Sequence, residues 1–417
     1  STAIGHGALY AQNFTSSTTS NNTAVGYHAG VNLTTGTQNT FIGSLAGDAI
    51  TTAHENTLVG YAAGSALTTG EDNAIIGASA GDALTEGKDN VAVGRNSLGA
   101  DTKGKSNVAV GSAALSTQNF TSLTDSYNTA VGASAGTAVT TGTSITAVGG
   151  RAGHSKTTGN GTFVGASAGR YATTATGVTF VGTEAGKGNS SAPLTGNYNT
   201  VIGDQAGLKL QGAAHSNTFL GTYAGYYNGT DNTTNGITTG TNNSAIGFAA
   251  YPSSATATNE FTLGNGSVSN LRCNDTSISS LSDERDKTNI VDIPLGLDFL
   301  KTLRPVAFDW DRRDGTNVGK KDFGFIAQEL KKAQDATSYA DHMRLVNTGY
   351  VLVPDAENKN EGKVDEDGNL VLDKSGKIEE SLEADPMKTY PILIKAIQEL
   401  SAKNDALEAR IKKLEDG

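Results

Sequence analysis

A short phrase repeats through the first 270 residues of the chain. From Asn22 onward, Asn-x-x-(Val/Ile)-Gly-x-x-Ala-Gly recurs about every 17 residues, as in NTAVGYHAG, NTFIGSLAG and NTLVGYAAG. A fixed period of roughly 20 residues is typical of a stacked array in which each repeat adds one layer. Residues 1–270 are therefore predicted to form a shaft or an extended binding surface.

One glycine in each phrase, here called the anchoring glycine, always follows Val, Ile or Leu. The anchoring glycines are Gly26, Gly43, Gly60, Gly77, Gly94, Gly111, Gly132, Gly149, Gly165, Gly182, Gly203, Gly221, Gly247 and Gly264. The residue two positions before the glycine is also usually apolar, and neighbouring residues of a strand point to opposite faces. One face can fill the interior of a coil, whereas the other needs a partner, so we expect oligomerisation along the whole shaft.

The segments between the phrases predict turns and loops. Glycines suit tight turns at positive φ, and Thr-Thr-Gly segments such as Thr34–Gly36 are interpreted as outer turns. Four extra residues between Gly111 and Gly132 are expected to lengthen an outer loop without breaking the stack. The alternative is a disordered Gly/Thr/Asn tract, but disorder does not require a branched aliphatic residue before every anchoring glycine.

Composition excludes several classes of partner and site. The net charge of −11 argues against a nucleic-acid partner, and no apolar run approaches the roughly 20 residues of a membrane span. The single cysteine, Cys273, excludes a disulfide framework. We predict no metal and no cofactor, because the six histidines are scattered: His6, His28, His54, His154, His215 and His342. Ser1 begins inside a partial repeat, which indicates a fragment or a processed product.

The phrases NTAVGYHAG and NVAVGRNSL resemble the head repeats of trimeric autotransporter adhesins, which also occur in phage tail fibres. The resemblance covers about residues 4 to 270. It implies that each repeat is one turn of a left-handed parallel β-roll and that three chains pack around a common axis. The fold class we expect is therefore mainly β, with a homotrimeric β-roll shaft.

The character of the chain changes after a junction at residues 271–281, where charged residues become frequent. Ser282 opens the block SDERDKTNI, and residues 303–330 contain LRPVAFDW, a turn and FGFIAQEL. These blocks predict a small α+β domain over residues 282–389. Its acidic, turn-rich stretch near 351–386 is expected to be an exposed hairpin or loop.

Residues 390–417 are predicted to form a C-terminal coiled-coil helix. Apolar residues alternate there at spacings of four and three, with Asn404 at an a position, a device that fixes register. The seam consists of Leu393, Ile397, Leu400, Asn404, Leu407, Ile411 and Leu414.

Four ordered motifs, SDERDKTNI, LRPVAFDW, GFIAQEL and YPILIKAIQEL, resemble the endosialidase-type intramolecular chaperone of phage tail fibres and tailspikes. The resemblance implies a domain that trimerises, drives folding of the preceding shaft and is then released by self-cleavage. It also implies that Ser282 and Lys287 carry that reaction. Asp286 departs from the family, which more often has an apolar residue there.

The implied chemistry is physically consistent. A serine hydroxyl needs a base, and a lysine acts as one when burial or positive neighbours lower its pKa. Ser282 would attack the carbonyl of Leu281 and form an ester that water opens, with Asp283 orienting Ser282 or Lys287. Arg285 would help to keep the lysine neutral. The competing interpretation is that Ser282 or Ser280 caps a helix.

We therefore expect a tail-fibre segment of a tailed phage or prophage, located in the virion and attaching to a glycan or protein on the bacterial surface. The expected partners are two further copies of the chain and this receptor, without membrane insertion. Turnover catalysis is not predicted beyond a single self-cleavage. Two alternatives stay open: a bacterial surface trimeric adhesin, and the distal part of a polysaccharide-degrading tailspike whose catalytic domain is absent here.

Overall fold

The computed structural model describes residues 1–16, 18–226, 237–268, 270–272, 283–311, 318–353, 377–384 and 389–416. The chain divides into two compact units, Ser1–Asn265 and Gly266–Gly417.

The first unit is a parallel β-solenoid with one short strand of the main sheet in each coil. Its strands are β1 (Thr2–Ile4), β2 (Thr23–Val25), β3 (Thr40–Ile42), β4 (Thr57–Val59), β5 (Ala74–Ile76), β6 (Val91–Val93), β7 (Gly104–Lys105), β8 (Val108–Val110), β9 (Thr124–Asp125), β10 (Thr129–Val131), β11 (Ile145–Val148), β12 (Gly161–Val164), β13 (Val178–Val181), β14 (Thr200–Ile202), β15 (Thr218–Leu220), β16 (Ser244–Ile246) and β17 (Phe261–Leu263). Fifteen of them form one sheet in chain order, without β7 and β9. The prediction of a mainly β chain with a parallel solenoid shaft is confirmed.

The repeat places identical positions in columns. Strands pair in register, so that Ala24 lies beside Phe41 and Phe41 beside Leu58. These central strand residues are fully buried, as are the alanines three positions after most anchoring glycines, such as Ala46 and Ala63. Because each coil is too small to form a core alone, the apolar interior is built by stacking, and its columns run the length of the unit.

The anchoring glycines form a column in which a side chain would be strained. Gly26 has φ +139° and Gly149 has φ +129°, a region that side chains other than glycine's rarely adopt. A Cβ added to Gly26 would lie 2.6 Å from the carbonyl oxygen of Gly43. The prediction that these glycines adopt positive φ is confirmed, and the close stacking of backbones gives a second reason for them.

The asparagine that opens each phrase forms a buried ladder, which the sequence alone did not reveal. Asn56 donates from its backbone N–H to Asn39 Oδ1 at 3.1 Å, and its Nδ2 donates to the carbonyl of Gly70 at 3.0 Å. The ladder comprises Asn22, Asn39, Asn56, Asn73, Asn90, Asn107 and Asn128, and again Asn199, Asn217 and Asn243. Most of these amides bond backbone groups of two coils, and Asn107 Nδ2 donates instead to Asn90 Oδ1, so a buried polar column is tolerated in the interior.

The insertion before Gly132 leaves the stack intact, as predicted. Strand β8 pairs directly with β10, while β7 and β9 form a separate two-residue parallel pair. Lys105 Nζ lies 2.9 Å from Asp125 Oδ1 across this pair. The extra residues are therefore accommodated outside the main sheet.

Lys156, at the interior position that Val139 holds one coil earlier, supplies a hydrogen bond where the asparagine ladder is interrupted. Gly161 occupies the ladder position in the next coil, and the carbonyl 14 residues later belongs to Ala175. Lys156 Nζ donates to this carbonyl oxygen. The side chain is fully buried, and burial lowers the pKa of Lys156 to about 8. The amine thus supplies the donor that Gly161 lacks, at the cost of burying a titratable group.

The stability of the shaft is expected to rise between pH 8 and pH 10. The pKa of Lys156 is lower in the folded chain than the 10.5 of a free lysine, so the unfolded chain binds more protons in this window. At 1.36 kcal/mol per pKa unit, the unfolding free energy should increase by about 2 kcal/mol per chain between pH 8 and pH 10. Chemical denaturation at pH 8 and at pH 10 measures the unfolding free energy. The Lys156→Met substitution should remove most of its rise between the two pH values. Burial also lowers the pKa of Lys209, which remains in both the wild type and the variant. A rise of equal size in the two proteins would therefore contradict the assignment of the effect to Lys156.

The second unit is a small α+β structure. It contains a 3₁₀ helix (Glu284–Asp286), α1 (Leu297–Leu300), β18 (Pro305–Asp309), β19 (Lys321–Phe325), α2 (Ala327–Asp335), α3 (Ala340–Met343), β20 (Val346–Val353), β21 (Lys377–Ala384) and α4 (Tyr390–Glu415). Strands β18 and β19 form one antiparallel pair, and β20 and β21 form another. The expected acidic hairpin or loop near 351–386 thus has paired strands at its ends, while residues 354–376 and 385–388 lie outside the described residues. A small core joins these elements: Phe299, Leu330, Met343, Leu345 and Ile392.

Candidate functional site

The solenoid carries a column of apolar side chains on the outer face of its sheet. The residue before each anchoring glycine points away from the interior, and none of these residues is buried in the single chain. Ile42 is 41% exposed, and Leu220 is 44% exposed. We call this set, with Ile4, the outer column: Ile4, Val25, Ile42, Val59, Ile76, Val93, Val110, Val131, Val148, Val164, Val181, Ile202, Leu220, Ile246 and Leu263. A continuous apolar stripe of this length indicates an interaction surface.

Helix α4 carries a second exposed apolar surface. Its first turns pack Ile392 and Ala396 against the rest of the second unit, and both are 3% exposed. The adjacent face carries the predicted seam, whose apolar members are 45 to 75% exposed in the single chain. Asn404 is also exposed, and its Nδ2 donates to Glu408 Oε1 at 3.1 Å. The predicted helix is confirmed, whereas its pairing with other copies remains a prediction.

Glu399 fixes the start of α1 against α4. The backbone N–H of Leu297 donates to Glu399 Oε2 at 2.9 Å, and a Cβ on Gly296 would collide with this carboxylate. A carboxylate at a helix N-terminus satisfies an otherwise unpaired donor. Sequence reasoning missed Glu399, since nothing in the helix pattern distinguishes it from the other glutamates.

Two of the C-terminal motifs meet through an ion pair. Arg304 lies in LRPVAFDW, and Glu329 lies in GFIAQEL. Arg304 donates from Nε and Nη2 to the carboxylate of Glu329 at 2.9 and 2.5 Å. The hydrogen bonds from Arg304 hold the pKa of Glu329 below its usual value. The pair lies near the surface, so it orients strand β18 against α2 more than it stabilises the fold.

The predicted cleavage site lies at the start of the second unit. Leu281 and Ser282 fall outside the described residues, whereas Asp283 is the N-cap of the 3₁₀ helix. The Asp283 carboxylate accepts from the backbone N–H of Arg285 at 2.9 Å and from its Nη2 at 2.7 Å. These bonds from Arg285 lower the pKa of Asp283. A capped turn is therefore present, and its capping residue is Asp283.

Lys287 closes the same turn. Its backbone N–H donates to the carbonyl of Glu284 at 3.1 Å, and its side chain is exposed in the single chain. The turn holds Asp283, Arg285 and Lys287 within five residues of one another, directly after Ser282. The pairing of Arg285 with Asp283 is a contact that sequence reasoning did not identify.

No group of three or more His, Cys, Asp or Glu side chains that could hold a metal ion occurs within the described ranges. In the same part of the chain, no helix combines the length and the apolar character needed to cross a membrane.

Comparison with known proteins gives one finding for this region. Residues 282–342 match the family model described as chaperone of endosialidase, a segment that begins at Ser282 and includes Lys287. No curated protein and no solved structure matches the chain. The match and the β-solenoid together fit a tail fibre with a C-terminal chaperone domain.

Proposed function

We propose that the chain is part of a homotrimeric tail fibre that attaches a tailed phage or prophage to a bacterial surface glycan or protein. Its C-terminal domain aligns three chains, assists folding of the shaft and is released by cleavage at Ser282. The proposal depends on one observation: the chain combines a solenoid whose outer column is exposed with a segment that matches the chaperone family model.

The outer column supports association along the whole shaft. Its side chains lie on a single sheet face and recur once per coil, so a second and a third copy in the same register would bury all of them together. Burial of apolar surface contributes roughly 25 cal/mol per Å². A stripe running through some fifteen coils therefore favours a long, specific contact between identical chains.

The seam of α4 supports an assembly role for the C-terminal domain. The solenoid has an exposed strand edge, and its coils resemble one another closely, so three separate chains would associate in mixed registers. A helix that associates with its copies in two further chains raises the effective concentration of the three shafts and gives them a common register. Release of this domain afterwards makes unfolding of the shaft a kinetically one-way event.

The proposed cleavage transfers the acyl group of Leu281 from the nitrogen of Ser282 to its Oγ and then to water. Lys287 takes the proton of Ser282 Oγ, which attacks the carbonyl carbon of Leu281. The Leu281–Ser282 C–N bond breaks, and its nitrogen receives the proton. Water then hydrolyses the ester, which leaves a carboxylate on Leu281 and restores the hydroxyl of Ser282. Because Lys287 is exposed in the single chain, the burial that a lysine base requires has to come from neighbouring chains.

The oligomeric state tests the proposal directly. Light scattering of a Ser282→Ala protein, which keeps the domains together, is expected to give three times the chain mass of 42.7 kDa. Ile at a and Leu at d favours two strands in isolated coiled coils, so the proposal assigns the number three to the rest of the C-terminal domain together with the shaft. A twofold mass would contradict the homotrimer, and a single-chain mass would contradict association altogether.

Leu407→Asp is expected to lower the yield of assembled fibre at least about tenfold, because three carboxylates would meet in the seam. Ala402→Asp is the matched control, since Ala402 is exposed and lies on the opposite side of the helix from the seam. Size-exclusion chromatography after expression measures both. Equal yields would show that the seam does not align the chains.

A further inference from the structure

One stretch of the shaft is basic, although the chain as a whole is acidic. Residues 145–226 contain five lysine or arginine residues and two aspartate or glutamate residues, whereas the whole chain has a net charge of −11. One of the five cations, Lys156, is buried in the interior. The other four are half-buried or exposed, and each follows a different anchoring glycine: Arg151, Arg170, Lys187 and Lys209. Positive charge is therefore concentrated on the outside of four consecutive coils.

Stacking aligns these side chains along the shaft. The backbone N–H of Ser155 donates to the carbonyl of Arg170, and that of Tyr171 donates to the carbonyl of Lys187, both at 2.9 Å. His154, Arg170 and Lys187 therefore hold the same position in three consecutive coils. Because neighbouring coils are roughly 4.8 Å apart, the three side chains follow one another closely. We call the following set the basic strip: Arg151, His154, Arg170, Lys187 and Lys209.

Most of the basic strip has no carboxylate to neutralise it. Among the described residues, Lys187 is the one member with an ion pair, in which its Nζ lies 2.5 Å from Glu184 Oε1. The guanidinium of Arg170 instead lies over the ring of Tyr171, with Cζ 5.1 Å from the ring centroid. Its Nε is buried and has no hydrogen-bond partner in the described part of the chain. A buried donor without an acceptor is costly, so Arg170 is suited to receive an anion.

The arginines also act on the histidine of the strip. Burial, and then the positive charges of Arg170 and Arg151, lower the pKa of His154. In the proposed homotrimer the three strips would lie at the same level of the shaft, so no strip could neutralise another. The compensating anion therefore has to come from outside the assembly.

An aromatic patch adjoins the basic strip. Lys209 Nζ lies 5.2 Å from the centroid of the Tyr226 ring. The Tyr223 ring lies edge-on to two others, with its centroid 6.0 Å from that of Tyr226 and 5.9 Å from that of Phe248. Phe248 is 62% exposed. We call Tyr223, Tyr226 and Phe248 the aromatic patch. Rings beside cations suit a ligand that has both apolar faces and negative charge.

We propose that the basic strip and the aromatic patch bind an anionic polysaccharide, with its carboxylate or phosphate groups on the strip and a sugar ring on the patch. Arginine presents paired N–H donors that match the oxygens of either anion. A linear polymer lying along the shaft would contact several coils at once, because the cations recur once per coil. The inference rests on the proposed attachment function and names the chemical class of the receptor.

Binding of soluble polymers to the full chain tests the proposal. Isothermal titration calorimetry with polygalacturonate, which carries carboxylates, and with polyglycerol phosphate, which carries phosphodiesters, distinguishes the two anions. At least one of them should bind, with an affinity that falls as salt is added, and at least about tenfold more tightly than neutral dextran. Cations beside aromatic rings also suit single-stranded nucleic acid, so oligothymidylate is the rival polyanion. Equal or tighter binding of oligothymidylate, or no binding of either acidic polymer, would overturn the proposal.

Arginine substitutions locate the binding site. A chain with both Arg151→Gln and Arg170→Gln should bind the acidic polymer at least about tenfold more weakly, because two charge-assisted contacts are lost. Arg151→Gln alone changes an exposed side chain and should weaken binding severalfold without disturbing packing. Arg95→Gln is its matched control, since Arg95 is also exposed and lies outside the strip. An equal loss in the Arg95 variant, or no loss in the double variant, contradicts the assignment.

A substitution in the aromatic patch tests the contact with the sugar ring. Phe248→Ser should weaken binding severalfold and leave its salt dependence unchanged, because an apolar contact is lost and no charge. Tyr61→Ser is the matched control, since Tyr61 follows Gly60 as Phe248 follows Gly247 and is 60% exposed. Unchanged binding in the Phe248 variant would show that charge alone holds the polymer, against the proposal.

Light scattering of the same samples separates this inference from the proposed assembly. All the variants are expected to keep the mass of the wild type. A trimer that binds neither acidic polymer would contradict the inference alone, whereas a single chain that binds would contradict the homotrimer and retain the site. If the arginine substitutions change the oligomeric state, the basic strip is a contact between chains, and the inference is wrong.

Discussion

The Ser282→Ala protein is expected to run as one chain of 42.7 kDa on a denaturing gel, while the wild type is expected to separate into residues 1–281 and 282–417. The reason is that the hydroxyl is the proposed nucleophile, so that its removal leaves nothing to form the ester. Intact-mass measurement would place the new N-terminus at Ser282. The expected effect is complete loss of cleavage with the trimer retained.

Two further variants make this test specific. Ser280→Ala removes a neighbouring hydroxyl and should still be cleaved, whereas Lys287→Met removes the proposed base and should block cleavage. Continued cleavage of the Ser282→Ala protein would assign the reaction to another residue. If wild type and variant both stay whole, the C-terminal domain is a permanent trimerisation cap, and the roles given to Ser282 and Lys287 are wrong.

Gly149→Ala is expected to prevent correct stacking of the shaft. Gly149 has φ +129°, and an added Cβ would lie 2.5 Å from the carbonyl oxygen of Gly165 in the next coil. Backbone strain of this kind costs about 1–3 kcal/mol, and the collision with backbone atoms adds to it. In a homotrimer each of the three chains would carry this strain in the same coil, so we expect the yield of soluble, folded protein to fall severalfold or more.

The next residue provides a matched control. Gly150 has no heavy atom within 4 Å of an added Cβ, and its φ is not positive. Gly150→Ala should therefore leave both the yield and the thermal unfolding midpoint unchanged within error. Circular dichroism melting of the two variants measures the difference. Equal midpoints would show that the glycine column is not required for stacking.

The repeat by itself determined the architecture of the shaft. Each coil contacts only its neighbours, so a period of about 17 residues and a branched aliphatic before each anchoring glycine are enough to specify a parallel stack. The need for glycine at positive φ is equally local, as is the amphipathic pattern of α4. For the C-terminal domain, the motifs predicted a small α+β structure without fixing its strands and helices, and the proposed roles of Ser282 and Lys287 came from the family resemblance.

The structure alone decided the polar contacts inside the stack. Lys156 and Gln118 both look like surface residues in the sequence, yet both are fully buried. Which carbonyl Lys156 satisfies depends on Gly161 in the next coil, and the partner of Gln118 is Asp101 of the coil stacked before it. The Arg304–Glu329 and Asp283–Arg285 pairs likewise require side-chain geometry. Periodicity specifies which positions face inward, but a hydrogen bond needs a particular donor and acceptor within about 3 Å, and only the packed coils bring them together.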